Sequence, residues 1–179
     1  RVFGGTASLL TNELPNIGRR ARFADPARSE SFEAEINENT RAIFVETVSN
    51  PDGTVADLEA LAGLAQKYHI PLIVDNTLAT PLLARPIEWG ANIVTSSLTK
   101  FFNGHGDVLA GAVIDAGNFD WDKNGQWPAL STARANGVAP LTQAFQGAAF
   151  AALVRQHLTL FGPSLNPLDV PRILDNAAN

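Results

Sequence analysis

Short apolar segments rich in β-branched residues recur along the chain, and helical or turn-forming segments separate them. The four clearest segments cover residues 42–45, 71–74, 92–96 and 111–114. Runs of this length fit strands that are buried on both faces of a sheet. Between the first two, apolar residues recur at helical spacing after Asp57, which suits an N-cap. The alternation predicts an α/β fold, a mostly parallel sheet with helices on both faces.

Weaker patterns extend this prediction toward both ends of the chain. Residues 20–24 are expected to form a strand, residues 29–36 a helix, and Pro86 the start of a short helix. Glycine and proline punctuate residues 115–140, which predicts loops, and the alanine-rich residues 141–160 predict one helix. The tail after Gly162 contains three prolines and shows little periodic pattern.

Composition excludes several classes of function. The formal net charge of −5 argues against nucleic acid or an anionic membrane as a partner. There is no cysteine, and the three histidines lie far apart, so we expect neither disulfides nor a metal site. No apolar run of membrane-spanning length and no signal peptide is evident, which predicts a soluble, cytoplasmic protein. The chain starts at Arg1 and contains no Met, so we expect it to be a fragment.

Polar residues follow three of the predicted strands directly. They are Glu46, Asp75 and the pair Ser96-Ser97. In open α/β sheets, ligands bind at the carboxyl ends of the strands. These side chains are therefore expected to face one cavity.

Two of these strand ends suggest a particular chemistry. Ser97 and Thr99 supply hydroxyls suited to a phosphate, and the adjacent Lys100 can form an imine with an aldehyde on the same ligand. An ordinary polar loop with a surface lysine would look similar. Asp75 is costly to bury unpaired, and a pyridinium N–H would be a suitable partner. A loop or cap acid is again the simpler alternative, but the two features together are more specific than either alone.

With these residues in view, the sequence resembles the pyridoxal-phosphate (PLP) enzymes of cysteine and methionine metabolism, which have the aspartate-aminotransferase-like fold (fold type I). The stretches that match are Phe3 to Thr6, Glu46 to Pro51, Val74 to Pro81, Arg85 to Ala91 and Ser97 to Asp107. Residues 113–121 look most like those of the O-acetylhomoserine sulfhydrylases. Those enzymes replace the acetoxy group of O-acetylhomoserine with sulfide to give homocysteine.

The resemblance implies a domain division and an assembly. Residues 1–140 would form a partial PLP-binding large-domain core, and residues 141–179 a connecting helix and the start of a truncated C-terminal domain. It also implies an amino-acid substrate and a homo-oligomer, either a dimer or a tetramer.

The resemblance assigns roles to eight residues. Lys100 would be the Schiff-base lysine, and Asp75 would pair with the pyridine nitrogen. Phosphate binding would fall to Ser97 and Thr99, and stacking on the cofactor ring to Phe3. The other cofactor-binding residues would be Asn50, near the 3′-oxygen, Glu46, which would support that side of the site, and Thr77.

One departure from the family pattern bears on activity. Phe3 stands where the family usually has a tyrosine, so the ring would keep the stacking and lose a hydroxyl thought to assist γ-elimination. Related activities, such as a γ-lyase or a cystathionine γ-synthase, and an inactive scaffold of the same family therefore stay open as alternatives.

Other classes of enzyme are less well supported. Ser97-x-x-Lys100 has the spacing of penicillin-binding enzymes, but the Ser-Asp-Asn and Lys-Thr-Gly elements of that class do not occur. A dinucleotide turn at Gly104 lacks its third glycine, since the chain has Leu109 there. Glu46 and Asp75 could form a glycosidase carboxylate pair, but nothing else in the sequence supports one.

Overall fold

A computed structural model describes residues 2–178 of the chain. The chain divides into two compact units, the first covering residues 1–91 and the second residues 92–179. Each unit contains two of the predicted strands and several helices.

The first unit is built on a parallel strand pair. Strands β1 (Ile43–Glu46) and β2 (Leu72–Asp75) pair in parallel, with Glu46 opposite Asp75. Helix α3 (Leu58–Tyr68) connects them, and the side chain of Asp57 accepts a hydrogen bond from the Ala60 N–H as its N-cap. The core of this unit includes side chains that are fully buried, among them Leu61, Leu72 and Val74. The strand–helix–strand prediction is confirmed for this part of the chain.

Short helical segments surround this pair. They are α1 (Gly4–Ser8), a π-helical turn (Leu9–Glu13), a 3₁₀ turn (Leu14–Ile17), α2 (Ser29–Glu33), α4 (Thr80–Leu83) and a 3₁₀ turn (Pro86–Trp89).

Two of the predictions for this unit need correction. The strand expected at residues 20–24 is wrong, because this segment is irregular and Phe23 is largely exposed. The helix expected at residues 29–36 exists but ends early, at Glu33.

The second unit is built on an antiparallel strand pair. Strands β3 (Ile93–Ser97) and β4 (Gly111–Asp115) run in opposite directions, with Ser97 opposite Gly111. A π-helical turn (Leu98–Phe102) and a loop connect them. This connection contains no crossover helix, so the chain returns alongside the strand it has just left. The expected parallel arrangement therefore applies to β1 and β2, and β4 is an exception.

Helices make up most of the rest of the second unit. Their bounds are α5 (Pro128–Ser131), α6 (Leu141–Phe145), α7 (Ala149–Phe161) and α8 (Val170–Ala177), with 3₁₀ turns at Lys123–Gly125, Ala135–Gly137, Gln146–Ala148 and Pro167–Asp169. An aromatic cluster lies beside α7, where the ring of Trp121 stacks on Phe150 with centroids 5.3 Å apart.

The helical predictions for this unit also need correction. The single helix expected at residues 141–160 is interrupted at Gln146, whose φ of 47° and ψ of −123° end α6. Helix α8 was not expected, because Pro167 and Pro171 obscured its pattern, although proline is tolerated in a first helical turn.

One stretch of the second unit bears on the membrane expectation. Residues 135–161, taken as one helical stretch, are long and apolar enough to cross a membrane by length and composition. This is weak support for a membrane span, since core helices of soluble proteins pass the same test.

Candidate active site

Glu46 joins three segments of the first unit at the end of β1. Its carboxylate is buried, and Oε1 accepts a hydrogen bond from the backbone N–H of Phe3 at 2.6 Å. Oε2 accepts one from the backbone N–H of Asn50 at 2.9 Å. Such charge-assisted bonds replace the water that a buried carboxylate loses. Glu46 therefore fixes the positions of two other predicted site residues, Phe3 and Asn50.

Asp75 ends β2 beside Glu46 and is half-buried. One carboxylate oxygen, Oδ1, accepts hydrogen bonds from both the backbone N–H and the hydroxyl of Thr77. Within residues 2–178, the other oxygen, Oδ2, accepts none. Thr77 thus orients the carboxylate and leaves one oxygen available for an N–H donor.

A buried polar pair braces this strand end. The Thr47 hydroxyl donates to Asn76 Oδ1 at 2.7 Å, and Asn76 Nδ2 donates to the carbonyl of Ala84 at 2.9 Å. Sequence reasoning assigned no role to either residue. The available signal was their position, since both directly follow a residue that ends an apolar strand. Asn76 is 2% exposed, so each end of its amide needs the partner that it has.

The chain after Asp75 has an unusual backbone conformation. Thr80 has a φ of 56°, in the left-handed region that β-branched residues rarely adopt. The Thr80 N–H donates to the carbonyl of Asn76 at 2.9 Å. The turn that follows Asp75 is therefore closed by its own backbone and held in a strained conformation.

The aromatic ring of Phe3 is half exposed and lies over a glycine. A β-carbon added at Gly5 would come within 2.8 Å of Phe3 Cε1, so the ring occupies space that only glycine leaves open. An exposed ring held in this way is able to stack on a flat ligand.

Lys100 lies in the turn that follows β3 in the second unit. Its backbone, with φ −90° and ψ −122°, departs from the helical conformation of the residues around it. The side chain is exposed, and its amine makes no ion pair or hydrogen bond with any residue from 2 to 178. The amine is thus accessible to a ligand.

Both predicted phosphate ligands lie at or just after the end of β3. Ser97 is the last residue of β3 and is half-buried. The hydroxyl of Thr99 donates to the carbonyl of Ala110 at 3.2 Å and accepts from its N–H at 2.9 Å. Thr99 would have to give up the bond to the carbonyl before it could donate to a phosphate.

Asn103, just after the lysine turn, is fully buried and was not predicted as a site residue. Its side-chain amide donates to Asp107 Oδ1 at 2.7 Å and accepts from Asn176 at 2.9 Å. Asp107 also pairs with Arg172 at 2.8 Å. The hydrogen bond from Asn103, assisted by the charge of Arg172, lowers the pKa of the Asp107 carboxyl below its ordinary value.

The described residues have the functional groups that PLP requires. An open carboxylate oxygen on Asp75 fits a pyridinium N–H, and an unpaired amine on Lys100 fits an aldehyde. A hydroxyl on Ser97 fits a phosphate, and the exposed ring of Phe3 fits a pyridine face. That all four meet in one cavity remains a prediction.

Comparison with solved structures places this chain in a class of α/β enzymes, the PLP-dependent enzymes of fold type I. A Campylobacter jejuni protein described as an O-acetylhomoserine (thiol)-lyase superposes on this chain with a TM-score of 0.91 at 31% identity. The comparison covers 99% of this chain and 44% of that one. The Campylobacter structure contains N′-pyridoxyl-lysine-5′-monophosphate, a lysine joined to the pyridoxal cofactor. The fold-class prediction is thereby confirmed.

The chain belongs to the Cys/Met metabolism PLP-dependent enzyme family, whose sequence profile matches residues 1–171. The O-acetyl-L-homoserine sulfhydrylase of Corynebacterium glutamicum is 44% identical over 129 residues, or 70% of this chain and 30% of that protein. O-acetyl-L-homoserine sulfhydrylase 1 of Thermus thermophilus is 41% identical over 173 residues, or 94% of this chain and 41% of that protein. The chain therefore spans well under half the length of these relatives. The resemblance stated from the sequence is confirmed.

Proposed function

We propose that this chain supplies the cofactor-binding core of a PLP-dependent transferase that acts on an O-acylated homoserine. The reaction is replacement of the γ-acyloxy group by sulfide, which gives homocysteine and a carboxylate. The observation that carries the proposal is an unpaired Lys100 amine in the turn that follows β3, in a chain that is 44% identical over 129 residues to a named sulfhydrylase. The proposed setting is a cytoplasmic dimer or tetramer.

In this proposal each residue has a stated task. Lys100 holds the cofactor covalently and afterwards moves protons at the substrate carbons through Nζ. Asp75 Oδ2 accepts the pyridinium N–H, which keeps that nitrogen protonated, and Oδ1 stays bound to Thr77. Bound PLP supplies an electron sink for the substrate. Ser97 binds the phosphate, with Thr99 as a second ligand, while Phe3 covers one face of the ring.

The test is to identify the lysine that binds PLP. The purified chain is incubated with PLP and reduced with borohydride, and the modified peptide is mapped. We expect the label on Lys100 and its loss in Lys100→Ala, with the circular dichroism spectrum unchanged. Lys67→Ala serves as the matched control and should keep the label. A label on Lys67 or Lys123, or none on a folded protein, would contradict the proposal.

Phe3 favours a second candidate function, a scaffold of the same family that binds PLP without turnover. Its ring has no hydroxyl where the family resemblance implies one. The variant Phe3→Tyr distinguishes the two candidates. If the chain is a scaffold, sulfide-dependent turnover of O-acetylhomoserine is absent in the wild type and appears, if at all, only in Phe3→Tyr. The exposed Phe23→Tyr is the control.

A further inference from the structure

A polar network connects the turn after Lys100 to a helix far along the chain. Asn103 lies at its centre, and Asn176 of α8 donates to Asn103 Oδ1 across 73 positions of sequence. Arg172, one turn earlier on α8, donates through Nε to Asp107 Oδ2. The other carboxylate oxygen of Asp107, Oδ1, accepts a hydrogen bond from Asn103. Both ends of the Asn103 amide and both oxygens of Asp107 are thus engaged.

One face of α8 provides these contacts. Arg172, Ile173 and Asn176 share this face at i, i+1 and i+4, and Ile173 is 3% exposed. Leu174 lies on another face and is 60% exposed. One buried apolar side chain and two polar ones therefore fix the helix on the second unit.

The network acts on the backbone that carries the lysine. The Asn103 N–H donates to the carbonyl of Leu98 at 3.1 Å, and the Gly104 N–H donates to the carbonyl of Lys100 at 2.8 Å. His105 Nδ1 lies 3.1 Å from the carbonyl of Asn103. Fixing the side chain of Asn103 therefore closes the turn on both sides of Lys100.

We propose that Asn103, Asp107, Arg172 and Asn176 are positioning residues, and that α8 uses them to hold the Lys100 turn in the conformation that reacts with PLP. The role of the network in the reaction with PLP rests on the proposed function. Its effect on the conformation of the Lys100 turn does not, because this effect can be measured without the cofactor. Asn103, at the centre of the network, is fully buried with both ends of its amide bonded, whereas the Arg172 side chain at the edge is 59% exposed. A buried polar group with every bond made rigidifies the residues that it joins.

The experiment uses the full chain and two readouts. The first is amide hydrogen exchange of the peptide that spans residues 98–110, without PLP. In Asn176→Ala and in Arg172→Ala we expect the Asn103 and Gly104 amides to exchange roughly three- to tenfold faster, as the loss of one hydrogen bond predicts. The second readout is the rate of borohydride-trapped labelling at Lys100, which should fall several-fold in both variants relative to the wild type.

Matched controls separate positioning from general destabilisation. Leu174→Ala removes an exposed side chain from the same helix, and Arg155→Ala removes one positive charge from α7. Neither should change the exchange of residues 98–110 or the labelling. Arg172→Lys, which keeps the charge, should restore part of the wild-type exchange protection and labelling rate.

The outcomes are distinguishable. Wild-type exchange at residues 98–110 in both Asn176→Ala and Arg172→Ala overturns the inference, whatever PLP does. Faster exchange with an unchanged labelling rate also overturns it, because loosening the turn would then not change the reaction of Lys100 with PLP. Faster exchange together with a wild type that never labels Lys100 refutes the proposed function and shows that the network holds the turn for another purpose.

Discussion

A carboxylate that leaves water needs hydrogen bonds from the protein in exchange, and Glu46 obtains two from backbone N–H groups. These bonds connect the segment around Phe3 to the turn at Asn50. At the scale of single residues, the site is thus organised by a side chain that touches no substrate in our proposal. Its own contribution is measurable through folding.

We expect Glu46→Gln to destabilise the protein by about 1–3 kcal/mol, since the new NH₂ group cannot accept and leaves a backbone N–H without its acceptor. Urea unfolding followed by tryptophan fluorescence measures the change. Glu13→Gln, the same substitution at an exposed site, should stay within about 0.5 kcal/mol of wild type. An equal effect of the two substitutions would show that the Glu46 bonds contribute nothing.

At the scale of elements, helix α3 is stabilised at both ends. Asp57 caps its first turn, and near its last turn Lys67 and Tyr68 both donate to Glu33 of α2. The first contact is local, and the second joins two helices. Each supports a separate prediction.

Replacing the cap by Asp57→Ala should cost about 0.5–2 kcal/mol, because the Ala60 N–H loses its acceptor at the helix start. Thermal unfolding provides the measurement. Glu59→Ala removes the same charge two residues later, in the first turn but not at the cap position, and should cost only about 0.3–1 kcal/mol through the helix dipole. A smaller loss for Asp57→Ala than for Glu59→Ala would refute the capping role.

The contacts of Glu33 predict a pH dependence. The hydrogen bond from Lys67, with that from Tyr68, lowers the pKa of the Glu33 carboxyl below its ordinary value, and the bond to Glu33 raises the pKa of Lys67. Stability from Glu33 is therefore present above its ordinary pKa and is lost as the pH falls through the lowered pKa. Stability from Lys67 is lost only as the pH rises through its raised pKa.

We expect Glu33→Gln to lower the melting temperature most near neutral pH, and the difference from wild type to vanish in strong acid. The effect should be small, since the pair is exposed. Glu30→Gln, on the same helix, should show no such profile. A difference that persists unchanged at low pH would mean that the charge of Glu33 is irrelevant.

Local patterns predicted the positions of the strands well. The strands that begin at Ile43, Leu72, Ile93 and Gly111 were predicted to within a residue or so. The first three contribute buried core side chains, but no residue of β4 is buried, so the expectation of burial on both faces is wrong for that strand. Residues 20–24 have a strand-like composition but no partner strand in the structure. Composition alone does not supply a hydrogen-bonding neighbour.

The site was predictable to the extent that it depends on strand ends. Parallel pairing places Glu46 beside Asp75, which the strand-end rule anticipates. Asn103 was missed because its partner, Asn176, lies on a helix that the prolines concealed. Contacts of such long sequence separation leave no local pattern.

At the scale of the whole molecule, many large apolar side chains are exposed. Leu82 is 93% exposed, Leu109 86% and Leu83 84%. Exposed apolar surface of this kind often marks an interface. The chain spans well under half the length of the relatives named above, so such surfaces fit contacts with further polypeptide.

We therefore expect concentration-dependent self-association of the isolated chain in sedimentation velocity. If apolar contacts drive it, association should persist or strengthen in high salt, whereas association between charged surfaces would weaken. A folded monomer at every concentration would contradict this expectation and the proposed oligomer together.

The burial of Asn103 also has a consequence for the lifetime of the protein. Asparagine followed by glycine is the dipeptide most prone to spontaneous deamidation, in which the glycine nitrogen attacks the side-chain carbonyl carbon. The chain contains this dipeptide at Asn103, Asn124 and Asn136, and the last two are exposed. The Asn103 amide is held by partners at both ends, and the attacking nitrogen of Gly104 is bound to the carbonyl of Lys100. Stored protein should accumulate negative charge at the two exposed loops and keep the lysine turn chemically intact.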